Sequence, residues 1–113
     1  MIIKLQKIIN KDRDGNDVKD VNGNVSYIRH DGIAFSQLIN AVDSKIVAVS
    51  EYIDLLGLDD KSRDAAMKDL TEVELTVGEA ALLKKLLNNP QNDKVSYPIF
   101  FIRTIHGLLE QLK

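Results

Sequence analysis

The sequence predicts an α+β fold in which a small antiparallel β-meander is followed by three or four helices packed on one of its faces. Turn dipeptides occur in the first 32 residues at intervals of eight or nine residues: Asp14-Gly15, Asn22-Gly23 and Asp31-Gly32. Such dipeptides between short alternating segments are typical of β-hairpins. The next 24 residues contain neither Gly nor Pro, which is typical of helix. The 113 residues are expected to form a single domain, with residues 1–32 as its β part and residues 33–113 as its mainly helical part.

Three strands are expected in the β part. The first is predicted over Ile2 to Ile9, the second over Asp17 to Val21 and the third over Asn24 to His30, because charged and apolar residues alternate in them. A three-stranded sheet of this size needs a cover on one face, which the helices would supply. We identify no internal repeat at this stage.

The helical part begins with a segment whose apolar residues recur at three- and four-residue steps, as on one face of a helix. They are Phe35, Leu38, Ile39, Val42, Ile46, Val49, Ile53 and Leu56. Asp43-Ser44 leaves open whether residues 33–57 form one helix or two, and Gly57 is expected to end the segment. A short polar helix is then predicted over Asp59 to Asp69, and a fourth short strand over residues 71–75.

Two further helices are predicted near the end of the chain. Thr76 and Glu79 form a capping-box pattern that begins one helix, which must stop before Pro90. Ser96 is expected to cap the last helix, with Pro98 in its first turn. The apolar stripe of this last helix is Phe101, Ile102, Ile105, Leu108, Leu109 and Leu112.

The composition argues against several classes of function. The chain has no cysteine, which rules out disulfides and thiolate metal sites and favours a cytoplasmic location. No segment approaches 18 uncharged apolar residues, so no membrane contact is expected. The net charge is −2 and the basic residues are scattered, whereas nucleic-acid-binding proteins carry a basic patch, so nucleic acid is not an expected partner.

One segment resembles the start of a calcium loop. Oxygen-bearing residues alternate from Asp12 to Asp20, and such oxygens can converge on a hard cation. The sixth position should be Gly and is Asp17, and the twelfth should be Glu and is Gly23. A solvated turn is therefore the favoured interpretation, no metal or other cofactor is expected, and cation binding by this turn stays open.

A histidine offers the best starting point for catalysis. His30 lies next to Asp31 at a strand end, and a His-Asp pair can transfer protons. No nucleophile is placed by a motif, and His106 lies one turn before Glu110, which indicates a surface pair. The protein is therefore expected not to be an enzyme, and a small enzyme around His30 is kept as the second alternative.

Two surfaces are candidates for binding a partner. Ile99 and Phe100 lie off the main stripe of the last helix, and with Tyr97 and Arg103 they predict contact with another chain, either a partner or a second copy. Residues 33–75 carry nine acidic and four basic residues. Within them, Asp59, Asp60 and Asp64 form an acidic run that could dock on a basic surface.

Two fragments resemble small proteins of tailed-phage and prophage morphogenesis clusters. One is a first strand with a charged turn, Ile2-Ile3-Lys4-Leu5 through Asp14-Gly15-Asn16; the other runs from Glu74 through Glu79 into Leu82-Leu83 and Leu86-Leu87. This resemblance covers about 30 residues and implies a non-enzymatic assembly or structural component, located in the virion if the chain is phage-derived.

The leading hypothesis is therefore a non-catalytic protein–protein interaction or assembly module, with a homo-oligomer through the last helix as one of its forms. The first alternative is a regulatory or inhibitory protein that docks its acidic surface onto a basic partner surface.

Overall fold

The computed structural model describes residues 1–42, 44–88 and 99–113, and it confirms the α+β class. The elements are β1 (Ile2–Lys4), β2 (Lys7–Ile9), β3 (Tyr27–His30), α1 (Asp31–Asn40), α2 (Tyr52–Met67), β4 (Glu72–Glu74), α3 (Val77–Asn88) and α4 (Ile99–Gln111). Two short 3₁₀ turns, Ser44–Ile46 and Val49–Glu51, lie between α1 and α2. Among these described segments, no helix combines the length and apolarity needed to cross a bilayer.

The strands form two antiparallel two-stranded sheets rather than one three-stranded meander. β1 pairs with β4, the predicted fourth strand, so that Ile3 lies opposite Val73, and β2 pairs with β3. The predicted first strand is split because the chain changes partner at Leu5 and Gln6. The Leu5 amide donates to the Thr71 carbonyl at 2.8 Å, whereas the Gln6 amide donates to the Asp31 carboxylate at 2.8 Å.

The predicted middle strand, Asp17 to Val21, does not form. Residues 11–26 instead form two consecutive tight turns, each closed by a single isolated bridge, Lys11 with Asp17 and Lys19 with Val25. The two turns are copies of one eight-residue unit, KDRDGNDV and KDVNGNVS, which the sequence analysis did not identify as an internal repeat.

The two units share one hydrogen-bonding pattern. The Asp12 carboxylate accepts from the amides two and four residues later at 2.9 and 3.0 Å, and Asp20 does the same at 2.9 and 3.0 Å. Gly15 and Gly23 follow at φ +82° and +81°, a conformation that glycine adopts without steric cost. The repeat therefore builds an exposed arm in which these side-chain bonds act together with backbone bonds, such as that from the Asp12 amide to the Asn16 carbonyl at 2.9 Å, without a strand between its turns.

The helix boundaries differ from the prediction after residue 40. α1 ends at Asn40, and Asp43 of the predicted break lies outside the described residues. α2 continues through Gly57, which does not end a helix, and includes most of the segment predicted as a separate helix. Gly57 instead allows a close approach, because a Cβ there would collide with the Glu79 carboxylate of α3. α2 ends at Met67, and Asp69 follows at φ +51°, where the Leu70 amide donates to the Ala65 carbonyl at 3.2 Å.

One continuous core lies between the sheets and the four helices. Its fully or nearly fully buried members include Ile3, Leu5, Phe35, Ile39, Leu58, Ala65, Val73, Leu75, Leu82, Leu83, Leu86, Leu87, Leu108 and Leu112. α1 packs most extensively on α2, and α4 covers β3 and α1. The four leucines of α3 are all part of this core.

The predicted stripe of α4 is confirmed in part. Phe101, Leu108 and Leu112 are buried, but Ile102 is 56 % exposed and Thr104 takes the buried position near it. The predicted stripe of residues 33–57 also divides: its first members are buried or partly buried, whereas its last three are exposed. The predicted cap at Ser96 and the proline at 98 lie outside the described residues.

Candidate functional site

An exposed apolar stripe covers the beginning of α2 and the 3₁₀ turn that leads into it. We call Val49, Tyr52, Ile53 and Leu56 the α2 stripe. Their exposed fractions are 77 %, 40 %, 83 % and 64 %. Residues spaced by three, four and seven positions lie on one face of a helix, so the four side chains form a continuous surface.

The α2 stripe faces away from the rest of the described chain because the opposite side of α2 is used for packing. Leu58, Ser62 and Ala65 are fully buried, and Gly57 lies against α3. The sequence analysis assigned Val49, Ile53 and Leu56 to the same stripe as Phe35. Apolar periodicity carried past the end of α1 led to that error, since α1 ends at Asn40 and α2 begins only at Tyr52.

The acidic residues near the α2 stripe are mostly engaged with other parts of the fold. Between residues 46 and 60 the chain carries four acids and no base; the acids are Glu51, Asp54, Asp59 and Asp60. Lys85 binds Glu51 at 2.8 Å, and Arg63 binds Asp59 at 2.9 Å. In the part of the chain that the structure describes, the other two have no ion-pair partner. Asp54 is half-buried, with its carboxylate against Gly78 in the first turn of α3, so of these four acids Asp60 alone is exposed without an ion-pair partner among the described residues.

The pKa of Glu51 lies below its ordinary value. The hydrogen bond from Lys85 is the main cause, and the Ala48 amide, which donates at 2.9 Å, adds to it. Glu51 therefore stays ionised beside the α2 stripe at neutral pH.

The predicted acidic run is only partly available as a docking surface. Asp59 is paired with Arg63, and Asp64 lies 3.7 Å from Lys68. Asp60 is exposed and lies next to the end of the α2 stripe. The structure thus brings one of the three predicted acids to the apolar surface without a partner among the described residues.

The predicted surface on the last helix is smaller than the α2 stripe. Ile99 is 66 % exposed and Arg103 is exposed, but Phe100 is half-buried with its ring centre 4.7 Å from that of Phe101. Tyr97 lies outside the described residues. Ile102 lies one turn from Ile99, so these two isoleucines form the exposed apolar part of this face among the residues that the structure describes.

His30 is a helix cap in this structure. Its Nδ1 accepts from the Ile33 amide at 3.2 Å, and its Nε2 lies 3.3 Å from Asp69 Oδ1. The ring is nearly buried and meets Tyr27 edge-on at 4.8 Å. Both ring nitrogens are thus engaged with the protein itself, which supports a structural role at the start of α1.

Asp69 connects the end of α2 to the β part. The hydrogen bond from Lys7 at 3.0 Å is the largest cause that lowers the pKa of Asp69, and the contact with His30 adds to it. The carboxylate therefore remains ionised and contacts both side chains. Its residue has a left-handed backbone conformation just after α2.

A buried carboxylate joins three separated parts of the chain. Asp31 is fully buried and accepts from Arg29 Nε at 2.6 Å, Arg29 Nη2 at 2.9 Å, Thr104 Oγ1 at 2.7 Å and the Gln6 amide at 2.8 Å. We call these four residues the Asp31 node. The Arg29 guanidinium lies against Gly107 of α4, where any side chain would displace it.

The sequence analysis paired Asp31 with the wrong side chain, because it considered His30 as the neighbour. The available signal was in α4, where Thr104 and Gly107 interrupt an otherwise apolar inward face at a spacing of three. A small polar residue and a glycine on such a face indicate that a polar group from another element packs there.

The capping box at the start of α3 is confirmed. The Glu79 amide donates to Thr76 Oγ1 at 3.1 Å, and the Thr76 amide donates to Glu79 Oε1 at 2.8 Å. Lys61 of α2 also binds the Glu79 carboxylate. Burial raises the pKa of Glu79, but Lys61 and the Thr76 amide outweigh it, and the pKa lies below the usual 4.5.

This lowered pKa gives Glu79 a pH-dependent contribution to stability. The contribution is fully present above the unfolded-state pKa and is lost as the pH falls through the folded-state pKa. Glu79→Gln is therefore expected to cost about 1–2 kcal/mol at pH 7 and to flatten the acid side of the stability profile. Urea unfolding between pH 3 and pH 7 measures this, and a parallel loss for both proteins on acidification would contradict it.

The described residues contain no group of three or more acidic or histidine side chains arranged to hold a metal ion. Comparison with known protein families, with curated proteins and with solved structures found no match in any of the three.

Proposed function

We propose that this protein is a non-catalytic interaction module that binds a protein partner through the α2 stripe. The observation that carries this proposal is the exposure of four apolar side chains in one continuous helical face, from 40 % to 83 %. Single exposed apolar residues are ordinary, but a contiguous apolar surface bordered by charge is typical of an interaction site. An amphipathic helix with an uncovered apolar face commonly binds another helix or a groove.

The alternatives draw less support from the geometry. A purely acidic docking surface would need unpaired acids, and Asp59 and Asp64 already have basic neighbours in their own helix. An active site around His30 would need a free ring nitrogen, and both nitrogens contact the protein. Assembly through α4 remains a prediction, as do a phage origin and a location in the cytoplasm or the virion.

The size of the protein in an extract of its native host tests the proposal. The tagged wild type is expected to elute in a species larger than its own monomer. The variant Ile53→Ser/Leu56→Ser should elute as the free chain, because two polar side chains remove most of the apolar contact. Ile102→Ser, at an exposed isoleucine of α4, is the matched control and should elute with the wild type. Elution of the double variant in the wild-type complex would refute the proposal.

The exposure of the α2 stripe also leads to a prediction about stability. Ile53→Ser is expected to change the free energy of unfolding by less than about 0.5 kcal/mol, because Ile53 is 83 % exposed and packs on little of its own chain. Thermal or urea unfolding of the purified variant measures it. A loss of about 2 kcal/mol or more would mean that Ile53 is part of the core in solution.

A further inference from the structure

We propose that His30 is a pH-sensitive cap of α1 that exchanges partners when its ring is protonated. In the neutral ring one nitrogen caps the helix. In the charged ring that cap is lost, and the contact of the other nitrogen with Asp69 becomes an ion pair. The device lies where β3, α1 and the end of α2 meet, and it is independent of the α2 stripe.

The capping contact determines which ring nitrogen of His30 carries the hydrogen. The Ile33 amide donates to Nδ1 at 3.2 Å, so Nδ1 must hold a free electron pair. In a neutral imidazole the hydrogen is then on Nε2, and this nitrogen lies 3.3 Å from Asp69 Oδ1, which is an acceptor. The two contacts therefore favour the same form of the ring, neutral with its hydrogen on Nε2.

A proton on Nδ1 changes the two contacts in opposite directions. A nitrogen that carries a hydrogen does not accept from the Ile33 amide, so the first turn of α1 loses its cap. The positive ring is at the same time attracted to the Asp69 carboxylate. The hydrogen bond from Lys7 is the main cause that lowers the pKa of Asp69, so this carboxylate stays charged in the range where histidines titrate. Protonation therefore exchanges a cap for an ion pair.

The other titratable groups next to the ring are already engaged with one another. On β3, Tyr27 meets the ring edge-on at 4.8 Å, and Arg29 binds the carboxylate of Asp31 at 2.6 and 2.9 Å. On β2, Lys7 donates to Asp69 at 3.0 Å and lies 5.6 Å from the centre of the Tyr27 ring. Lys7 therefore shares the Asp69 carboxylate with the ring and competes with the charged imidazole for it.

The Asp31 node keeps the exchange local. Asp31 is the first residue of α1, and its hydrogen bonds tie the start of the helix to Arg29 of β3 and Thr104 of α4. The His30 ring is 5 % exposed, and a Cβ at Gly32 would lie 3.4 Å from its Cε1, so the ring packs against the first turn of α1. Loss of the cap thus frees the Ile33 amide while the node keeps α1 attached.

Nuclear magnetic resonance of the nitrogen-15-labelled full chain between pH 8 and pH 5 tests the proposal. At pH 8 the ring nitrogen shifts are expected to place the hydrogen of His30 on Nε2. As the ring becomes charged, hydrogen exchange of the Ile33 amide, corrected for the intrinsic effect of pH, should become about fivefold faster. His106 is exposed on α4 and is the internal control, so the Ile33 exchange should follow the titration of His30 and not that of His106.

Variants assign the effect to the two partners of the ring. His30→Asn keeps a capping oxygen that does not titrate, so the corrected exchange of the Ile33 amide should no longer change with pH. Asp69→Asn removes the charge that attracts the protonated ring, so loss of the cap should require a lower pH than in the wild type. Asp60→Asn, at an exposed acid of α2, is the matched control and should behave like the wild type.

Two results on the wild type alone would overturn the proposal, so it can be tested even if a variant fails to fold. One is a hydrogen on Nδ1 of His30 at pH 8. The other is an Ile33 amide whose corrected exchange stays constant down to pH 5, whether or not the ring titrates. The same pH dependence in His30→Asn as in the wild type would also overturn it. None of these measurements involves the α2 stripe, so the host-extract experiment decides the proposed function independently.

Discussion

Asp31→Ala is expected to lower the free energy of unfolding by about 3–5 kcal/mol, the usual cost of leaving a buried charge without its partner. The carboxylate accepts four hydrogen bonds and is fully buried, and its loss leaves the Arg29 guanidinium, only 15 % exposed, without a counterion. Because small domains are stabilised by only about 5–15 kcal/mol, the variant should melt at a much lower temperature or fail to fold. Urea unfolding followed by far-ultraviolet circular dichroism measures the change.

Two control variants make this result specific. Asp60→Ala removes an exposed acid and should change stability by less than about 0.5 kcal/mol. Asp31→Asn keeps the shape of the side chain and should lower the free energy of unfolding less than Asp31→Ala does. The reason is that its amide oxygen still accepts some of the four hydrogen bonds. A loss below about 1 kcal/mol for Asp31→Ala would mean that the Asp31 node does not hold the elements together.

Gly32→Ala is expected to destabilise the protein by about 1–3 kcal/mol, the typical cost of overpacking. A Cβ at Gly32 would lie 2.9 Å from the Ala65 carbonyl oxygen and 3.2 Å from its carbon, so α1 and α2 would have to separate. In an exposed helix the same substitution stabilises by about 0.5–1 kcal/mol, so the sign of the change is the test.

A second substitution in α1 serves as the control for Gly32→Ala. Asn40→Ala lies on the exposed side of the same helix, where higher helix propensity should leave stability unchanged or slightly raised. Calorimetry of both variants gives the comparison. Stabilisation by both substitutions would mean that α1 and α2 are not in contact at Gly32.

The features that were predicted correctly from the sequence are those that depend on a few neighbouring residues. Asp14-Gly15 and Asn22-Gly23 indicated turns, and Thr76 with Glu79 indicated the start of α3. The predicted turn at Asp31-Gly32 is wrong, because these two residues begin α1. Local hydrogen bonds of this kind need no distant partner, since the capping residues lie three positions apart. The α+β class followed from the same local signals.

The features that could not be predicted depend on distant partners. β1 pairs with β4 about 70 residues away, so alternation alone did not reveal that the first strand ends at Lys4. The eight-residue repeat was visible as a rhythm of turns, but a hairpin turn and a side-chain-closed turn have the same Asp-Gly and Asn-Gly pattern.

The candidate site was missed for a related reason. Hydrophobic periodicity identifies an apolar helix face, but it does not indicate whether the rest of the chain covers that face. The same three- and four-residue steps run from Phe35, which is fully buried, to Ile53, which is 83 % exposed. The Asp31 node has no sequence motif, since its members are drawn from residues 6, 29, 31 and 104.

Photo-crosslinking in the native host tests most directly the claim that the α2 stripe is the docking surface. A photoreactive amino acid is placed at position 53, and in separate proteins at position 102 on α4 and at position 21 at the exposed tip of the arm. We expect one discrete crosslinked species from position 53, to a partner protein, and no such species from the other two positions. Crosslinking from position 102 or 21 to a discrete partner, with none from position 53, would contradict the account.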